Sequence, residues 1–368
     1  MIVLFSSMPN KEGTVQFLLS FADALRGVGE DVRVFLPRGV CCDAPEVMSY
    51  DLVSLVDTLP FLGAKTRGLA AAVKALKPEK VVFTDEGRGS LAVLETLARQ
   101  GVKTTLVVHD PTPHPSRVSG GMRERISRRA YSVQWERVFG MASEYILLSK
   151  TSAAKFGAIH PGLALRSRVM PLCPHPPAGV SGMRPADLDE DVFAGSFYLF
   201  FGRIDEYKGL ARLLYAYGAC GKNRPLVVAG SGTLSAEESK LANETTGVAV
   251  VNRFISDEEM VWLFEHCLCV CLPYTEASQS GVLAMAYRFG KPVIVSDLEG
   301  LTEFVNEGGT GLVFHTEEEL VAELDEIAMS GVAERLGAGA SRFLTENLDW
   351  GRNARRWIES AREHHKTL

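Results

Sequence analysis

The stretch that most constrains this chain is residues 270–303, VCLPYTEASQSGVLAMAYRFGKPVIVSDLEGLTE, which reads as strand, polar loop, helix and short strand. The apolar run Val270 to Leu272 stops at Pro273, which has no N–H to give a ladder and so suits a strand end. Thr275 to Gly281 is small and polar, with neither strand nor helix period. Val282 to Phe289 forms an apolar helix closed by Gly290, and Lys291-Pro292 leads into the β-branched run Val293 to Val295. A helix that opens on Ser-Gln-Ser-Gly turns unpaired backbone N–H groups and the positive end of its dipole toward the loop. Such an end is a ready anion site, most often for phosphate.

A second stretch completes it. Residues 197–214, FYLFFGRIDEYKGLARLL, form an apolar strand ending on Gly202-Arg203, with a helix opening at Gly209. Arg203 and Lys208 therefore stand at the carboxyl end of a buried strand, where ligands gather in open α/β sheets. A planar guanidinium fork and a compact ammonium are the usual pair for a diphosphate.

The string GRIDEYKGLARLL resembles the Gly-Arg-(Ile/Leu)-x-x-x-Lys-Gly motif of the family-4 retaining glycosyltransferases. PYTEASQSGVLAMAYRFGKPVIVSDLEGLTEFVNEGGTGLVF is similar to that family's donor-sugar and diphosphate segment, through to its Gly-x-x-Gly-Leu ending. The likeness is densest from Phe197 to Phe314 and thinner before it. It implies the α/β fold called GT-B, in which two Rossmann-like, doubly wound parallel-sheet domains face each other across a cleft and the last helix crosses back to the first. It also implies a retaining transfer of sugar from a nucleoside-diphosphate donor to a hydroxyl of a glycan or lipid-linked acceptor, in cell-surface polysaccharide biosynthesis.

Size and composition agree with this reading. A chain of 368 residues favours two domains of ordinary size. Hydrophobic content of 46 % and charged content of 23 % are those of a globular protein, and no apolar run is long enough to span a bilayer. MIVLFSSMPN lacks the basic region and cleavage site of a signal peptide and reads as a first buried strand. Seven cysteines without a disulfide-like framework point to a reducing, cytoplasmic setting. Cys267, Cys269 and Cys271 alternate in CLCVCLP, so all three are expected on one side of a strand as small buried apolar residues rather than metal ligands. A net charge of −6 argues against a nucleic-acid partner.

Taken in order, the chain opens with strand Ile2 to Phe5, a polar loop to Gly13 and a helix from Thr14 to Arg26, whose Val15, Leu18, Leu19, Ala22 and Leu25 form one buried stripe. The family's first loop usually carries a Gly-Gly pair; here only Gly13 stands near that place, and it remains a candidate contact. Further strands fall at 31–36, 80–83, 104–108, 145–148 and 168–172. The 104–108 strand ends in His109-Asp110-Pro111-Thr112-Pro113-His114-Pro115, a stiff loop at the carboxyl edge of the sheet. His109 either caps the strand end or, as the resemblance implies, faces the donor sugar, with His114 as a second candidate. Arg117 to Arg137 is rich in arginine with Ile126, Tyr131, Val133 and Trp135 interleaved. It reads as a basic, partly amphipathic helix that suits an anionic membrane surface, a solvated face or an acceptor phosphate. The protein is thus expected in the cytoplasm, peripherally at the inner face of the membrane.

These signals divide the chain into an acceptor-side domain (1–174), a Pro-rich linker (175–192), a donor domain (193–347) and a returning helix (348–368). Donor-domain strands are expected at 197–201, 226–229, 248–251, 268–272 and 293–295. The resemblance assigns Arg203 and Lys208, with His109, to catalysis. The diphosphate and sugar fall to Arg203, Lys208, Glu276, Ser278, Gln279, Ser280, Gly281 and Val282, and the nucleotide to Gly202, Gly230, Ser231, Gly232 and Phe254. Glu303 matches a family glutamate and is equally suited to a helix-start charge. No Asp-x-Asp motif follows a strand end, so no metal or other cofactor is expected beyond the nucleotide sugar itself.

One departure stands out. The family's pair of glutamates across this loop and helix falls on Ala277 and Met285. Ser278, Gln279 and Ser280 offer replacement polar groups to the sugar and diphosphate, but Met285 cannot accept the ribose hydrogen bonds of a carboxylate. That loss keeps open a non-catalytic nucleotide-sugar-binding or scaffold subunit, and a sugar-nucleotide epimerase of the same fold is a third reading.

Overall fold

Short apolar runs alternate with helical segments through the chain, and a strand apolar on both faces is stable only with helices covering both sides of its sheet. The computed structural model describes residues 1–9, 13–40, 47–51, 63–111, 122–175, 177, 179–189, 196–221 and 224–364, with 122–128, 130, 306–308 and 361–364 described by backbone alone. The chain forms two compact units, residues 1–171 with 350–368 and residues 172–349.

In the first unit, β1 (Ile2–Phe5), β2 (Val32–Pro37), β3 (Val47–Tyr50), β4 (Lys80–Phe83), β5 (Thr104–Val108), β6 (Glu144–Leu147) and β7 (Ser167–Val169) form a parallel sheet in the order β3-β2-β1-β4-β5-β6-β7. The chain runs outward from β1 to β3, then returns so that β4 pairs with the other side of β1. That reversal opens a crevice at the carboxyl ends of β1 and β4. Phe5 lies between Tyr50 and Phe83, at ring separations of 5.3 and 5.4 Å, and fills the core beneath it. The edge strand β3 was not evident in the sequence, because Met48 and Ser49 are exposed and leave no buried run to read.

The helix Trp350–His364 belongs to this unit and packs on the helix Gly13–Gly27, as a returning last helix should. Trp350 meets Phe17 and Phe21 at 5.2 and 6.0 Å, and Trp357 meets Phe21 at 5.4 Å. Lys80 Nζ sits 4.6 Å from the centroid of the Trp357 ring and pairs with Glu144 at 2.9 Å, while Glu144 also takes Arg168 at 2.6 Å. One charged chain therefore ties β4, β6, β7 and the last helix together.

In the second unit, β8 (Phe197–Phe201), β9 (Leu226–Ala229), β10 (Val248–Val251), β11 (Cys267–Leu272), β12 (Val293–Ser296) and β13 (Gly311–Phe314) form a parallel sheet ordered β10-β9-β8-β11-β12-β13, with its reversal between β8 and β11. The alternation expected of the three cysteines fails at a bulge. Cys267 aligns with Phe197 and Cys269 with Tyr198, and since neighbours on a strand face opposite sides, Cys267 leaves the face shared by Cys269 and Cys271. All three are buried as free thiols, and loss of hydration pushes Cys267 up to about 12.

Trp357 is almost wholly buried, so Trp357→Ala should cost the first unit about 3–5 kcal/mol. Urea unfolding followed by the fluorescence of Trp135 would measure it, and Trp357→Phe should recover most of the loss.

Candidate active site

The second unit builds its site where the loops after β8 and β11 meet. β8 gives way to Gly202, whose φ of +101° is open to glycine alone, and the chain passes through Arg203 to a short 3-10 turn, Glu206–Lys208. Asp205 caps that turn by accepting from the Glu206 N–H at 3.0 Å, and Gly209, also left-handed, starts the helix Leu210–Ala219. A Cβ on Gly209 would lie 2.0 Å from the Pro273 carbonyl oxygen, so only glycine lets the two loops touch. The Thr275 N–H then donates to Tyr207 O at 2.7 Å and locks them.

Lys208 is turned inward and only 6 % exposed. Its Nζ donates one long hydrogen bond, 3.4 Å, to Phe201 O and lies 5.2 Å from the centroid of the Tyr274 ring. A Cβ on Gly202 would stand 2.7 Å from that nitrogen. Burial pushes the ammonium's pKa down; Tyr207 opposes this and Arg203 adds to it. A buried ammonium with one weak partner is costly unless an anion joins it. Arg203, by contrast, is exposed and only 3.7 Å from Asp205, a loose surface pair that leaves its fork available.

Across the junction, Ser280 caps the helix Gly281–Arg288, its hydroxyl accepting from the Leu283 N–H at 3.2 Å. Tyr274 is buried, with its hydroxyl against Ser280, and its carbonyl accepts from the Ser296 hydroxyl at 2.7 Å. Gly300, in the helix Glu299–Gly308, backs the loop so closely that a Cβ would meet the Ala277 oxygen at 2.7 Å. Ser278 and Gln279 are half-buried, Glu276 is exposed, and Glu303 lies half-buried in the second turn of the Glu299–Gly308 helix. Ala277 and Met285 are both half-buried, and neither position carries a carboxylate.

The loop after β9 joins them through backbone alone. A Cβ on Gly230 would be 2.0 Å from Gly202 O, and one on Gly232 would be 2.1 Å from Ile204 O. Asn252, after β10, accepts from the Gly232 N–H at 3.1 Å and donates to its carbonyl at 3.2 Å. Ser231 is exposed, and Phe254 is 80 % exposed.

In the first unit the corresponding crevice is held by Asp85. Its buried carboxylate accepts from the Ser7 N–H and hydroxyl, the Gly87 N–H and the Ser90 hydroxyl, at 2.8 to 3.0 Å. Beside it, Glu86 Oε1 accepts from the His109 N–H at 2.9 Å, and His109 Nε2 meets Thr84 O at 2.8 Å, the contact that assigns its proton to Nε2. The imidazole packs edge-on against Phe17 at 5.8 Å. Burial lowers the pKa of His109, and the ring stays neutral near pH 7. Lost hydration pushes Glu86 up to about 8; the His109 N–H opposes this and Asp85 adds to it. A Cβ at Gly13 would meet nothing within 4 Å, so no crowding or strain requires glycine there. His114 and Arg117 lie outside the described residues.

The basic segment forms the helix Met122–Phe139. Trp135, Val138 and Phe139 are buried in the core, Tyr131 is half-buried with its hydroxyl donating to Glu86 O at 2.9 Å, and Arg137 pairs with Glu95 at 2.7 Å. The aromatic residues interleaved in this segment therefore turn inward, leaving Arg129, Ser132, Val133, Glu136 and Arg137 exposed among the described side chains.

Tyr274, Asn252, Asp85 and Glu86 were not singled out from the sequence. The only signal for the last two was an acidic pair just past a buried strand.

Residues 194–357 match the family model of glycosyl transferases group 1. The match falls on the second unit and the helix that follows it. No curated protein matched the chain in sequence. Among solved structures, this chain is similar to Anabaena HepE in complex with UDP and glucose, at 18 % identity and a TM-score of 0.71 over 99 % of this chain and 100 % of that one. It is also similar to a sucrose-phosphate synthase from Thermosynechococcus elongatus (17 %, 0.72, all of both chains). A third is WaaG, a glycosyltransferase involved in lipopolysaccharide biosynthesis (17 %, 0.66, 97 % and 98 %). At these identities the likeness establishes the fold, GT-B. Among the described residues, no helix is long and apolar enough to cross a membrane.

The raised pKa of Glu86 has a sign. The folded chain holds this proton from about pH 4.5 to about pH 8 while the unfolded chain has released it, so the group's contribution to stability is full below pH 4.5 and falls as pH rises to 8. Glu86→Gln should remove that downward slope, and Tm measured from pH 4 to 9 would show it.

Proposed function

We propose that this enzyme moves a sugar, with retention, from a nucleoside diphosphate to a hydroxyl of a glycan or lipid-linked acceptor in cell-surface polysaccharide synthesis on the cytoplasmic side of the membrane. The observation that carries the reading is the buried, under-partnered ammonium of Lys208 beside the loose guanidinium of Arg203. As the bond from the anomeric carbon to the diphosphate oxygen breaks, negative charge grows on the leaving group. A cation already stripped of water stabilises that charge without reorganising. The acceptor oxygen forms the new bond on the same face, and its proton passes to the leaving phosphate, as the resemblance implies for retaining members.

Ser278, Gln279, Ser280 and the N–H groups of Gly281 and Val282 hold the diphosphate and sugar, with Glu276 at their edge. Gly202, Gly230, Ser231, Gly232 and Phe254 receive the nucleoside. His109 keeps the role at the sugar that the resemblance gives it, and Glu303 and Gly13 are secondary candidates. HepE structures with UDP and with UDP-glucose support a nucleotide-sugar donor, and WaaG supports a surface-glycan setting. Contact with an anionic membrane rests on charge in the Arg117–Arg137 region, since the described aromatic residues there are turned inward.

A non-catalytic nucleotide-sugar-binding subunit is the second reading, favoured by the missing carboxylates at Ala277 and Met285. Acceptor-dependent release of nucleoside diphosphate separates the two. Arg203→Ala and Lys208→Ala should each lower transfer by about a hundredfold or more. Near-normal rates in both variants would sink the mechanism.

A further inference from the structure

One turn of the first unit is built inside out. The helix Lys150–Ile159 ends at His160, and a single further turn, Pro161–Ala164, leads to the edge strand β7. The His160 imidazole packs against the rings of Trp135, Phe139 and Phe156, at 5.9, 5.2 and 5.3 Å. Its Nε2 is shut away from water and has no hydrogen-bond partner among the described residues. The apolar neighbours face out instead. Ile159 is 47 % exposed and Leu165 86 %, with Pro161 and Gly162 exposed between them. Backbone bonds hold the turn in this form: the Leu163 and Ala164 N–H groups donate to His160 O at 2.9 and 3.1 Å, and the Arg166 N–H donates to Leu163 O at 2.9 Å. Large apolar side chains held out together, while a polar ring is packed away, mark a surface with a partner.

Charge identifies that partner. Residues 145–171 contain no Asp or Glu but carry Lys150, Lys155, Arg166 and Arg168. Glu144 matches Arg168, whereas Lys150, Lys155 and Arg166 are exposed. Arg166 donates to the Ala142 carbonyl at 2.9 Å, a contact that leaves its charge uncancelled. The helix Met122–Phe139, with its exposed Arg129, packs on the same turn through Trp135 and Phe139. Exposed carbon beside unmatched cations suits an anionic bilayer, where the apolar groups enter the acyl boundary and the cations stay among the headgroups. A second copy docked by the same face would bring the cations of one molecule toward those of the other.

We infer that the turn from Ile159 to Leu165 is an apolar anchor that enters an anionic membrane surface, with Lys155 and Arg166 held by the headgroup phosphates. The inference rests on the membrane reading above and gives it a second contact, apart from the Arg117–Arg137 region. Attraction by charge alone is weak and reversible, and an inserted apolar group is what makes such a contact firm.

Co-sedimentation of the full chain with vesicles of two parts phosphatidylcholine to one part phosphatidylglycerol, against phosphatidylcholine alone, tests it. The chain should bind the mixed vesicles in preference to the neutral ones. Ile159→Ser with Leu165→Ser should weaken that binding about tenfold or more, with little change in Tm because both side chains already face water. Lys155→Gln should weaken it about fivefold, and Leu165→Trp should tighten it. Equal binding by the unaltered chain and the double serine variant overturns the inference and leaves the membrane reading resting on the Arg117–Arg137 region. Failure of the unaltered chain to bind the mixed vesicles removes both. Self-association that the double variant abolishes, without vesicle binding, gives the turn to a second copy and overturns the inference as well.

Discussion

A cation buried without an adequate partner is the constraint around which the second unit is arranged. Lys208 keeps its ammonium out of water only because three glycines surrender their side chains. Gly202 leaves room for Nζ, Gly209 lets the backbone reach Pro273, and Gly230 brings the next loop against Gly202. The Tyr274 ring covers the ammonium and the Ser296 hydroxyl holds the Tyr274 carbonyl. The fold spends stability here to create an electrostatic vacancy that an anion completes, as expected where function and packing compete.

The two sheets solve the same topological problem with different chemistry. Each reverses its strand order once and opens a crevice at the carboxyl ends of the strands on either side. In the second unit the crevice is lined by cations and helix N–H groups, and in the first by the satisfied carboxylate of Asp85 and the raised carboxyl of Glu86. Among the described residues the two crevices thus carry opposite charge, which follows from the residues placed at equivalent strand ends rather than from the fold.

Much of this was legible in the sequence because buried parallel strands are short apolar runs, and most of the strand positions read that way recur in the structure. The misses have separate causes. β3 is an edge strand with an exposed middle, and β13 opens on a glycine inside a motif segment. The cysteine alternation broke because period-two reasoning assumes no inserted residue, and the bulge supplies one. Arg203 and Lys208 were readable because their spacing is local. Tyr274 over the ammonium, Asn252 on Gly232 and Arg253 on Asp187 are meetings of distant segments, and nothing in the one-dimensional pattern announces them.

Because residues 350–368 belong with residues 1–171, the first unit is interrupted in sequence by the whole of the second. During synthesis the Phe17 and Phe21 rings emerge long before Trp350 and Trp357, the side chains that cover them. The second unit, continuous from Leu172 to Asp349, can fold while the first still lacks its final helix. The nascent chain thus carries an uncovered aromatic patch until the helix that begins at Trp350 clears the ribosome, a natural landing place for a chaperone and the point where a truncation before that helix would do most harm.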